Sequence, residues 1–404
     1  MATILLAWEL GGGLGHFMNL RPLAKGLTQR GHRVVAVLRD LSAARKFLAD
    51  PSVEIFQAPF KHAEFHDIEP TCTFAQILHN CGFGNAAELA TMAEAWRKLY
   101  EFAQPDLIIF DHAPTALLAS AGYPARRALI GTGFFSPPDS GKPGLPNLRT
   151  WLEPNLALLE EHEAKVLANM NSALARWSAP PLDRVAQLYR WLDEDFLMTF
   201  RELDTYNRGP DAVYRGIWSA GIGEPPLWPG GRGKKIFAYL KPFPALPQLL
   251  ETLNGLPNPS LVYAPGVEPR RREQYRNPTL RFTDSPVEMS QVARECDVAI
   301  LNGTHATTVA ILLAGKPALH VPIFLEQAIN ARAAERLGAA ICASPTEPKQ
   351  IVGGLRSMLT TDRFAQAATA FAVRYADFDP QEQLICILCR AEELATARNG
   401  RTIR

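Results

Sequence analysis

The chain has 404 residues, of which 47% are apolar and 21% are charged. Its 42 Lys and Arg residues nearly balance its 41 Asp and Glu residues, which leaves a formal net charge of +1. This length allows two or three domains with real cores, and the charge balance argues against a nucleic-acid partner.

Neither a targeting segment nor a membrane span is expected from the sequence. The apolar run at residues 1–8 is too short for a secretory core, and no run is long enough to cross a bilayer. The six cysteines are scattered, and Cys386 and Cys389 form a C-x-x-C without the second pair that zinc requires. We interpret them as buried thiols of a cytoplasmic protein, with peripheral contact with a membrane left open.

The first forty residues predict a strand–helix–strand unit. Residues 4–8 are a short apolar run, typical of a buried parallel strand, and a glycine cluster follows at residues 11–15. Apolar residues then recur at helical spacing up to Gly31, where a helix can end. Residues 32–38 are the next predicted strand.

Strands and helices continue to alternate after this unit. Residues 105–111 predict a strand that ends at Asp111, residues 115–121 a helix, and residues 127–131 another strand. This alternation indicates a parallel sheet covered by helices on both faces.

The second half of the chain predicts a further α/β block. Residues 151–200 have the pattern of amphipathic helices, and the Gly-, Pro- and Trp-rich residues 207–232 are typical of a linker. The predicted strands that follow are residues 236–240, 260–264, 279–282, 298–301 and 318–322, and the residues after Asp379 are predicted to be helical.

The glycine turn carries the first chemical signal. The glycines at positions 11, 12, 13 and 15 permit positive φ and let a ligand approach the backbone. The dinucleotide fingerprint needs a glycine where His16 stands, although Asp40 at the end of the second strand keeps an NAD-dependent oxidoreductase open as an alternative. A helix N-terminus disfavours protonated histidine, so His16 is suited to be a general base.

Asp111 ends a buried strand at the edge where such sheets bind ligands. Its carboxylate could hold His16 in the useful tautomer and stabilise it once protonated. It could also cap the helix that follows, and the two roles are compatible. His112 is a weaker candidate that we interpret as a loop residue.

A second strand–turn–helix lies at residues 298–308. The backbone N–H groups of residues 303–308 could cradle a pyrophosphate at the helix N-terminus, and the hydroxyls of Thr307 and Thr308 could add donors. A turn without a ligand is the alternative. After the next strand, Glu326 and Gln327 could hydrogen-bond vicinal sugar hydroxyls.

Together these motifs resemble the inverting nucleotide-sugar glycosyltransferases of the GT-B fold, in particular the bacterial antibiotic- and macrolide-type enzymes and the UDP-glycosyltransferases. The family's N-terminal catalytic His and its Asp partner correspond to His16 and Asp111. The C-terminal signature corresponds to Asn302-Gly303-Thr304, Thr307-Thr308, Gly315-Lys316-Pro317, Glu326-Gln327 and Arg336-Leu337-Gly338.

The resemblance implies two facing Rossmann-like domains with a cleft between them. Residues 1–206 would bind the acceptor, 207–232 would link the domains, 233–378 would bind the nucleotide sugar, and the helix at 379–404 would pack back on the first domain. It implies metal-independent transfer, without a cofactor, from a UDP- or dTDP-type sugar to a small-molecule or lipid-like hydroxyl. The implied donor-binding residues are Gly13, Gly15, Lys241, Asn302, Gly303, Thr304, Thr307, Thr308, Glu326 and Gln327.

The departures from the family pattern are concentrated on the donor side. Asn302 replaces a His that contacts the donor phosphate, and Thr304 replaces a glycine. Ala310 stands where some relatives have a ribose-binding Glu, Glu326 replaces an Asp, and Lys241 stands in a turn that is usually Gly-Ser-like. These changes keep open a catalytically silent binding or accessory protein of the same fold. The acceptor would be bound by residues 56–100 and 132–200. Aromatic side chains in these ranges favour an apolar or aromatic acceptor, although core packing explains them equally well: Phe60, Phe65, Phe74, Phe83, Phe134 and Phe135.

Overall fold

A computed structural model of the chain describes residues 1–42, 44–48, 50–62, 67–218 and 223–397. Phe65, which was predicted to favour an apolar acceptor, lies outside these residues, as do residues 219–222 of the predicted linker. Within the described part of the chain, no helix is both long and apolar enough to cross a membrane.

The chain forms two compact units, each with its own sheet. The first unit contains Met1–Phe200, Tyr206–Trp218 and Pro380–Arg404, and the second contains Arg201–Thr205 and Ser219–Asp379. Of the predicted linker, the described residues up to Trp218 therefore belong to the first unit, and those from Gly223 onward belong to the second.

The first unit contains a six-stranded sheet in which every pairing is parallel. Its strand order is β3-β2-β1-β4-β5-β6. The strands are β1 (Thr3–Trp8), β2 (Arg33–Leu38), β3 (Glu54–Gln57), β4 (Leu107–Asp111), β5 (Arg126–Gly131) and β6 (Glu194–Leu197).

The helices of the first unit follow its strands along the chain, as a doubly wound sheet requires. They are α1 (Leu14–Gln29), α2 (Ala44–Phe47), α3 (Phe74–Leu78), α4 (Ala86–Ala103), α5 (Pro114–Ala119) and α6 (Leu156–Ala175), with a π-helical turn at His79–Phe83 and a 3-10 helix at Val185–Trp191.

The prediction of helices throughout residues 151–200 is wrong beyond α6. Ser178 takes the left-handed conformation with φ 54°, and Pro180 and Pro181 follow it. Proline lacks the N–H that a helix needs and clashes with the preceding turn, so α6 cannot continue through this segment. The chain instead forms the 3-10 helix and then strand β6, which joins the sheet beside β5.

The second unit repeats the architecture of the first. Its sheet has the order β12-β11-β10-β7-β8-β9, and all its pairings are parallel. The strands are β7 (Ile236–Tyr239), β8 (Ser260–Tyr263), β9 (Leu280–Thr283), β10 (Val298–Leu301), β11 (Ala318–His320) and β12 (Ala340–Cys342). The helices are α7 (Leu246–Asn254), α8 (Pro269–Arg272), α9 (Met289–Glu295), α10 (His305–Leu313), α11 (Leu325–Arg336), α12 (Pro348–Thr360) and α13 (Arg363–Arg374).

Alternate residues along the strands of the second unit enter two separate apolar cores. Ile236 and Ile300 pack with Leu249 of α7, whereas Phe237 and Ala299 belong to the other cluster, with residues of α9 and α10. Successive side chains of a strand point to opposite faces of the sheet, so both faces are covered by helices.

The last helix, α14 (Pro380–Thr396), belongs to the first unit. Leu388 lies against Gly26 of α1, where a Cβ atom would approach it to 2.4 Å. The prediction that Cys386 and Cys389 are buried is wrong, because both are exposed while Ile387 and Leu388 between them are buried. The amphipathic pattern of α14 places the two cysteines on its outer side.

The two sheets share one strand order, which determines where ligands can bind. Counted within its own unit, each sheet runs 3-2-1-4-5-6, and the order reverses direction between the first and fourth strands. Ligands of open α/β sheets bind beyond the carboxyl ends of the strands at this switch point. The relevant strand ends are those of β1 and β4 in the first unit and those of β7 and β10 in the second.

Candidate active site

The glycine turn lies at the switch point of the first unit, between β1 and α1. Gly11 has φ 76° and Gly13 has φ 95°, in the region that favours glycine. A Cβ atom added to Gly12, Gly13 or Gly15 would meet nothing within 4 Å, so open space lies over these three residues. The turn therefore leaves backbone accessible at the N-terminus of α1.

His16 and Asp111 are brought together at this turn, as the sequence predicted. His16 Nδ1 lies 3.0 Å from Asp111 Oδ1, and the two side chains are 13% and 0% exposed. The strand register explains the proximity, since Trp8 at the end of β1 pairs with Asp111 at the end of β4. A carboxylate accepts a hydrogen bond, so it favours the tautomer in which Nδ1 carries the proton and Nε2 is the basic nitrogen.

Trp8 packs against the face of the His16 imidazole. The rings of Trp8 and His16 are stacked with centroids 4.8 Å apart and an interplanar angle of 19°. The indole Nε1 of Trp8 donates a hydrogen bond to the Leu10 carbonyl at 2.8 Å, which fixes the orientation of the indole. The position of the histidine is therefore defined by both its carboxylate partner and this stack.

Glu9 is a buried carboxyl of this site that the sequence analysis missed. The residue is fully buried, and its Oε2 accepts the backbone N–H groups of Thr115 at 2.9 Å and Ala116 at 3.1 Å. Glu9, not Asp111, therefore caps α5. Burial raises the pKa of Glu9 to about 8, against the lowering effect of these hydrogen bonds and of Arg39.

His112 also belongs to this site, although the sequence ranked it as a loop residue. It has φ 47°, which is uncommon for a residue with a side chain, and its ring is stacked on Phe135 with centroids 4.2 Å apart. Burial, followed by the nearby His16, lowers the pKa of His112 well below its usual value. The ring centroid of Phe74 lies 6.4 Å from that of His112, and both phenylalanines are buried, so His112 packs within an aromatic cluster.

A partly open cavity of about 330 Å³ lies in the first unit, and its lining includes Pro143, Leu145, Glu163, Arg184 and Tyr206. Burial raises the pKa of Glu163, whose Oε2 accepts the N–H of Leu145 at 2.8 Å. The hydroxyl of Tyr206 donates to the carbonyl of Phe134 at 2.9 Å, which ties the cavity wall to the aromatic residues beside His112.

Asn302 occupies the switch point of the second unit, but its amide is used to join strand ends. Its Oδ1 accepts the backbone N–H of Lys241 at 2.6 Å, and its Nδ2 donates to the carbonyl of Val321 at 2.9 Å. These contacts connect the residues that follow β7, β10 and β11. The side chain is 5% exposed, so its observed role is to brace the turn.

Gly303 brings this turn against α11. It has φ 89°, and a Cβ atom would stand 2.9 Å from the carbonyl oxygen of Gln327. Its own carbonyl accepts a hydrogen bond from Asn330 Nδ2 at 2.8 Å. The turn therefore requires glycine for both its conformation and its close approach to α11.

We expect Gly303→Ala to lower the free energy of unfolding by about 1–3 kcal/mol, because alanine is strained at positive φ and Gln327 must shift. Gly353→Ala in α12 is the control, since a Cβ atom there meets nothing within 4 Å. Urea unfolding followed by circular dichroism measures both variants. If Gly303→Ala were as stable as the parent protein, this account of the turn would be wrong.

The first turn of α10 combines exposed and buried threonines. Thr304 is exposed and precedes the helix, and Thr307 is half-buried in its first turn. The first amides of a helix have no partner within it, so this end can receive an anion. Thr308 corrects the sequence prediction, because it is fully buried and its hydroxyl lies 3.2 Å from His320 Nε2. Its position on α10 turns that hydroxyl into the core.

The loop after β11 supplies the remaining predicted donor-side residues. Gln327 is 6% exposed, and its Oε1 accepts the N–H of Ile323 at 2.9 Å, so it stabilises the start of α11. Glu326 is half-buried in the first turn of that helix. Lys241 is exposed, and its Nζ lies 5.9 Å from the ring centre of Phe324, which is itself 61% exposed.

The two Rossmann-like units, each with a candidate site at its switch point, define the GT-B fold. Solved structures bear this out. The spinosyn rhamnosyltransferase SpnG matches with a TM-score of 0.67 and 16% identity, over 96% of this chain and 100% of that chain. The calicheamicin glycosyltransferase CalG4 matches with a TM-score of 0.70 and 16% identity, over 98% and 99%. The glycosyltransferase SnogD from Streptomyces nogalater matches with a TM-score of 0.63 and 16% identity, over 97% and 100%.

The predicted fold and its resemblance to antibiotic-type GT-B proteins are thereby confirmed. SpnG has also been solved with thymidine diphosphate and with the spinosyn aglycone. No known family of sequences matches the chain, and no curated protein matches it. At these identities the likeness establishes the fold, and the chemistry has to be argued from the residues.

Proposed function

We propose that this protein is an inverting glycosyltransferase that moves a sugar from a nucleoside diphosphate to a hydroxyl acceptor. The contact between His16 and Asp111 at the first switch point carries the proposal. The GT-B fold supports it, since the similar structures are glycosyltransferases and one of them was solved with thymidine diphosphate.

In the proposed reaction His16 is the general base. Its Nε2 takes the proton from the acceptor hydroxyl while that oxygen forms a bond to the anomeric carbon. The bond from this carbon to the diphosphate breaks on the opposite face, and its electron pair leaves with the nucleotide, so the configuration is inverted. Asp111 holds the imidazole in position and stabilises its protonated form. The mechanism requires no metal ion.

The donor is assigned to the second unit, where a UDP or dTDP sugar would place its diphosphate at the start of α10. The backbone N–H groups of that first turn are the proposed donors to the phosphate oxygens. Lys241 is exposed at the neighbouring strand end and can contribute positive charge. Glu326 is the proposed partner of the sugar hydroxyls, while Asn302 and Gln327 hold the loops in place.

The acceptor is assigned to the first unit. Phe74 and Phe135 beside His112 favour an apolar or aromatic molecule that carries the reacting hydroxyl. The cavity lined by Glu163, Arg184 and Tyr206 offers polar partners for its remaining groups.

Nucleotide binding gives the direct test of this proposal. We expect thymidine diphosphate or uridine diphosphate to raise the midpoint of thermal unfolding, because a ligand at 100 times its Kd adds about 2.7 kcal/mol to stability. A transfer assay with the corresponding glucose donors should then yield a product of inverted configuration. Absence of both binding and transfer across a panel of donors would refute the proposal.

A silent GT-B-shaped binding protein is the second candidate, favoured by the amide of Asn302. The family's His contacts the donor phosphate, whereas the polar atoms of Asn302 contact backbone groups of Lys241 and Val321. This candidate predicts that sugar transfer is absent even when a small molecule binds the first unit. The oxidoreductase alternative would need Asp40 to bind a ribose, and its carboxylate accepts hydrogen bonds from the N–H and hydroxyl of Ser42.

A further inference from the structure

Four neighbouring rings, which we call the column, lie beyond the carboxyl ends of β1, β4 and β5 in the order Trp8, His16, His112 and Phe135. Trp8 stacks on His16 at 4.8 Å, and His112 stacks on Phe135 at 4.2 Å. The two imidazoles in the middle have centroids 6.4 Å apart and an interplanar angle of 29°. The proposed base therefore has a second imidazole as its neighbour in the column.

Gly11 shows how close the two imidazole nitrogens are. A Cβ atom on Gly11 would lie 2.6 Å from His16 Nε2 and 3.3 Å from His112 Nδ1. Two atoms that are this close to one point are separated by at most about 6 Å. This upper limit does not exceed the span of two hydrogen bonds of about 2.7–3.2 Å each, so one oxygen atom beside Gly11 can lie within reach of both nitrogens.

His112 is in an unfavourable state in two respects, its backbone conformation and the environment of its ring nitrogen Nε2. It has φ 47°, and its Nε2 is buried without a hydrogen-bond partner among the described residues. Strain and unsatisfied polar atoms cluster at functional sites, where the surrounding structure holds them in place. Here the Leu10 N–H donates to the carbonyl of His112 at 2.9 Å, and Phe135 covers its ring.

We propose that His112 is a second catalytic imidazole, whose Nδ1–H donates a hydrogen bond to the acceptor oxygen while His16 removes its proton. This inference rests on the proposed glycosyl transfer. The acceptor O–H bond breaks, its proton passes to His16 Nε2, and the negative charge that develops on the oxygen is stabilised by His112 until the new bond to the anomeric carbon forms. His112 donates the hydrogen bond but transfers no proton.

The charge state of His112 suits this role. Burial and the neighbouring His16 lower its pKa, so the ring stays neutral at pH 7. A neutral imidazole can donate one hydrogen bond without repelling the proton that His16 gains. A protonated neighbour would instead disfavour that gain and weaken the base.

Two substitutions distinguish the effect of losing the His112 hydrogen bond from the effect of losing the packing of its ring. His112→Phe keeps a ring to stack on Phe135 but removes the donor. His112→Asn removes the ring that stacks on Phe135 but keeps an amide donor near the position of Nδ1. Asparagine also tolerates positive φ. We expect kcat to fall about tenfold or more in His112→Phe and clearly less in His112→Asn, while thymidine diphosphate binds both variants as it binds the parent protein.

The acidity of the acceptor supplies a readout that packing alone would not change. Rates are measured with thymidine diphosphate glucose and two acceptors, the phenol umbelliferone and the aliphatic alcohol cyclohexanol. An aliphatic oxygen develops charge less readily, so His112→Phe should lower the ratio of aliphatic to phenolic transfer several-fold. This ratio does not depend on the fraction of each variant that is folded.

The outcomes distinguish the inference from the proposal on which it rests. An unchanged ratio in His112→Phe, or equal losses in the phenylalanine and asparagine variants, would overturn the role of His112 and leave glycosyl transfer standing. Absence of transfer by the parent protein to both acceptors, together with no binding of thymidine diphosphate, would overturn the proposed function and this role with it.

Discussion

His16→Ala is expected to lower the turnover of sugar transfer by about 10²–10⁴-fold, the usual contribution of a general base. His16 lies in the first unit and the proposed diphosphate site in the second, so the Kd for thymidine diphosphate should change little. Initial rates at saturating donor and acceptor measure the loss, and calorimetry measures the binding. Unchanged turnover in a folded His16→Ala protein would remove His16 from the mechanism.

Asp111→Asn is the matched partner of this experiment, because asparagine keeps the size of the side chain and removes the charge. The variant no longer favours the Nδ1–H tautomer of His16 or stabilises its protonated form, so a large loss of turnover is expected here too. Since the two residues act as a unit, the double variant should be only slightly slower than His16→Ala alone. Losses that simply multiply would show that the two residues act independently.

The sequence was sufficient to predict the fold of the molecule and the contact between His16 and Asp111 at the first switch point. Short apolar strands alternating with helical segments predict a doubly wound sheet, and Asp111 is visible as a polar residue that ends such a strand. The glycines before His16 indicate a turn with an open backbone. These signals are local, so they can be read from neighbouring residues.

The features that escaped prediction depend on contacts between distant parts of the chain. Glu9 caps a helix more than a hundred residues away, and only its place beside an apolar strand end could have indicated that it is buried. The column that includes His112 needs Phe135 from another loop. The sequence around Asn302 predicts a weakened phosphate ligand. It does not show that the amide of Asn302 joins three strand ends, because those contacts are made with residues far away along the chain.

The donor side shows the same limit for Thr308. The Thr307-Thr308 pair matches a family motif, but the motif does not state which hydroxyl faces the ligand. In the structure Thr307 and Thr308 point in different directions from α10, so that Thr307 is half-buried while the Thr308 hydroxyl lies against His320 in the core. Helical periodicity places neighbouring residues about 100° apart, so adjacent positions rarely share one environment.

The buried carboxyl of Glu9 leads to the second large prediction, which concerns stability. Its pKa is raised from an ordinary 4.5 to about 8 in the folded protein. Between these two pH values the unfolded chain releases a proton that the folded chain retains. The contribution of Glu9 to the free energy of unfolding should therefore fall by about 1.4 kcal/mol per pH unit as the pH rises through this window, and level off above pH 8. Buried histidines whose pKa values are lowered, such as His305 and His320, contribute with the opposite sign below pH 6.5, so the effect of Glu9 is measured as the difference between the parent protein and a variant that lacks this carboxyl.

Glu9→Gln removes this ionisation while keeping an oxygen that can accept the N–H groups of Thr115 and Ala116. The variant should match the parent protein near pH 4.5 and become more stable than it by several kcal/mol near pH 8, because only the parent must either keep a proton on this side chain or bury its charge. Urea unfolding across this pH range measures the difference, and the exposed Glu160→Gln in α6 is the control that should leave the slope unchanged. Parallel pH profiles for Glu9→Gln and the parent would mean that Glu9 ionises as readily in the folded chain as in the unfolded one. Its place at the start of α5 would then reflect an ionised cap, and the helix dipole would have outweighed the cost of burial.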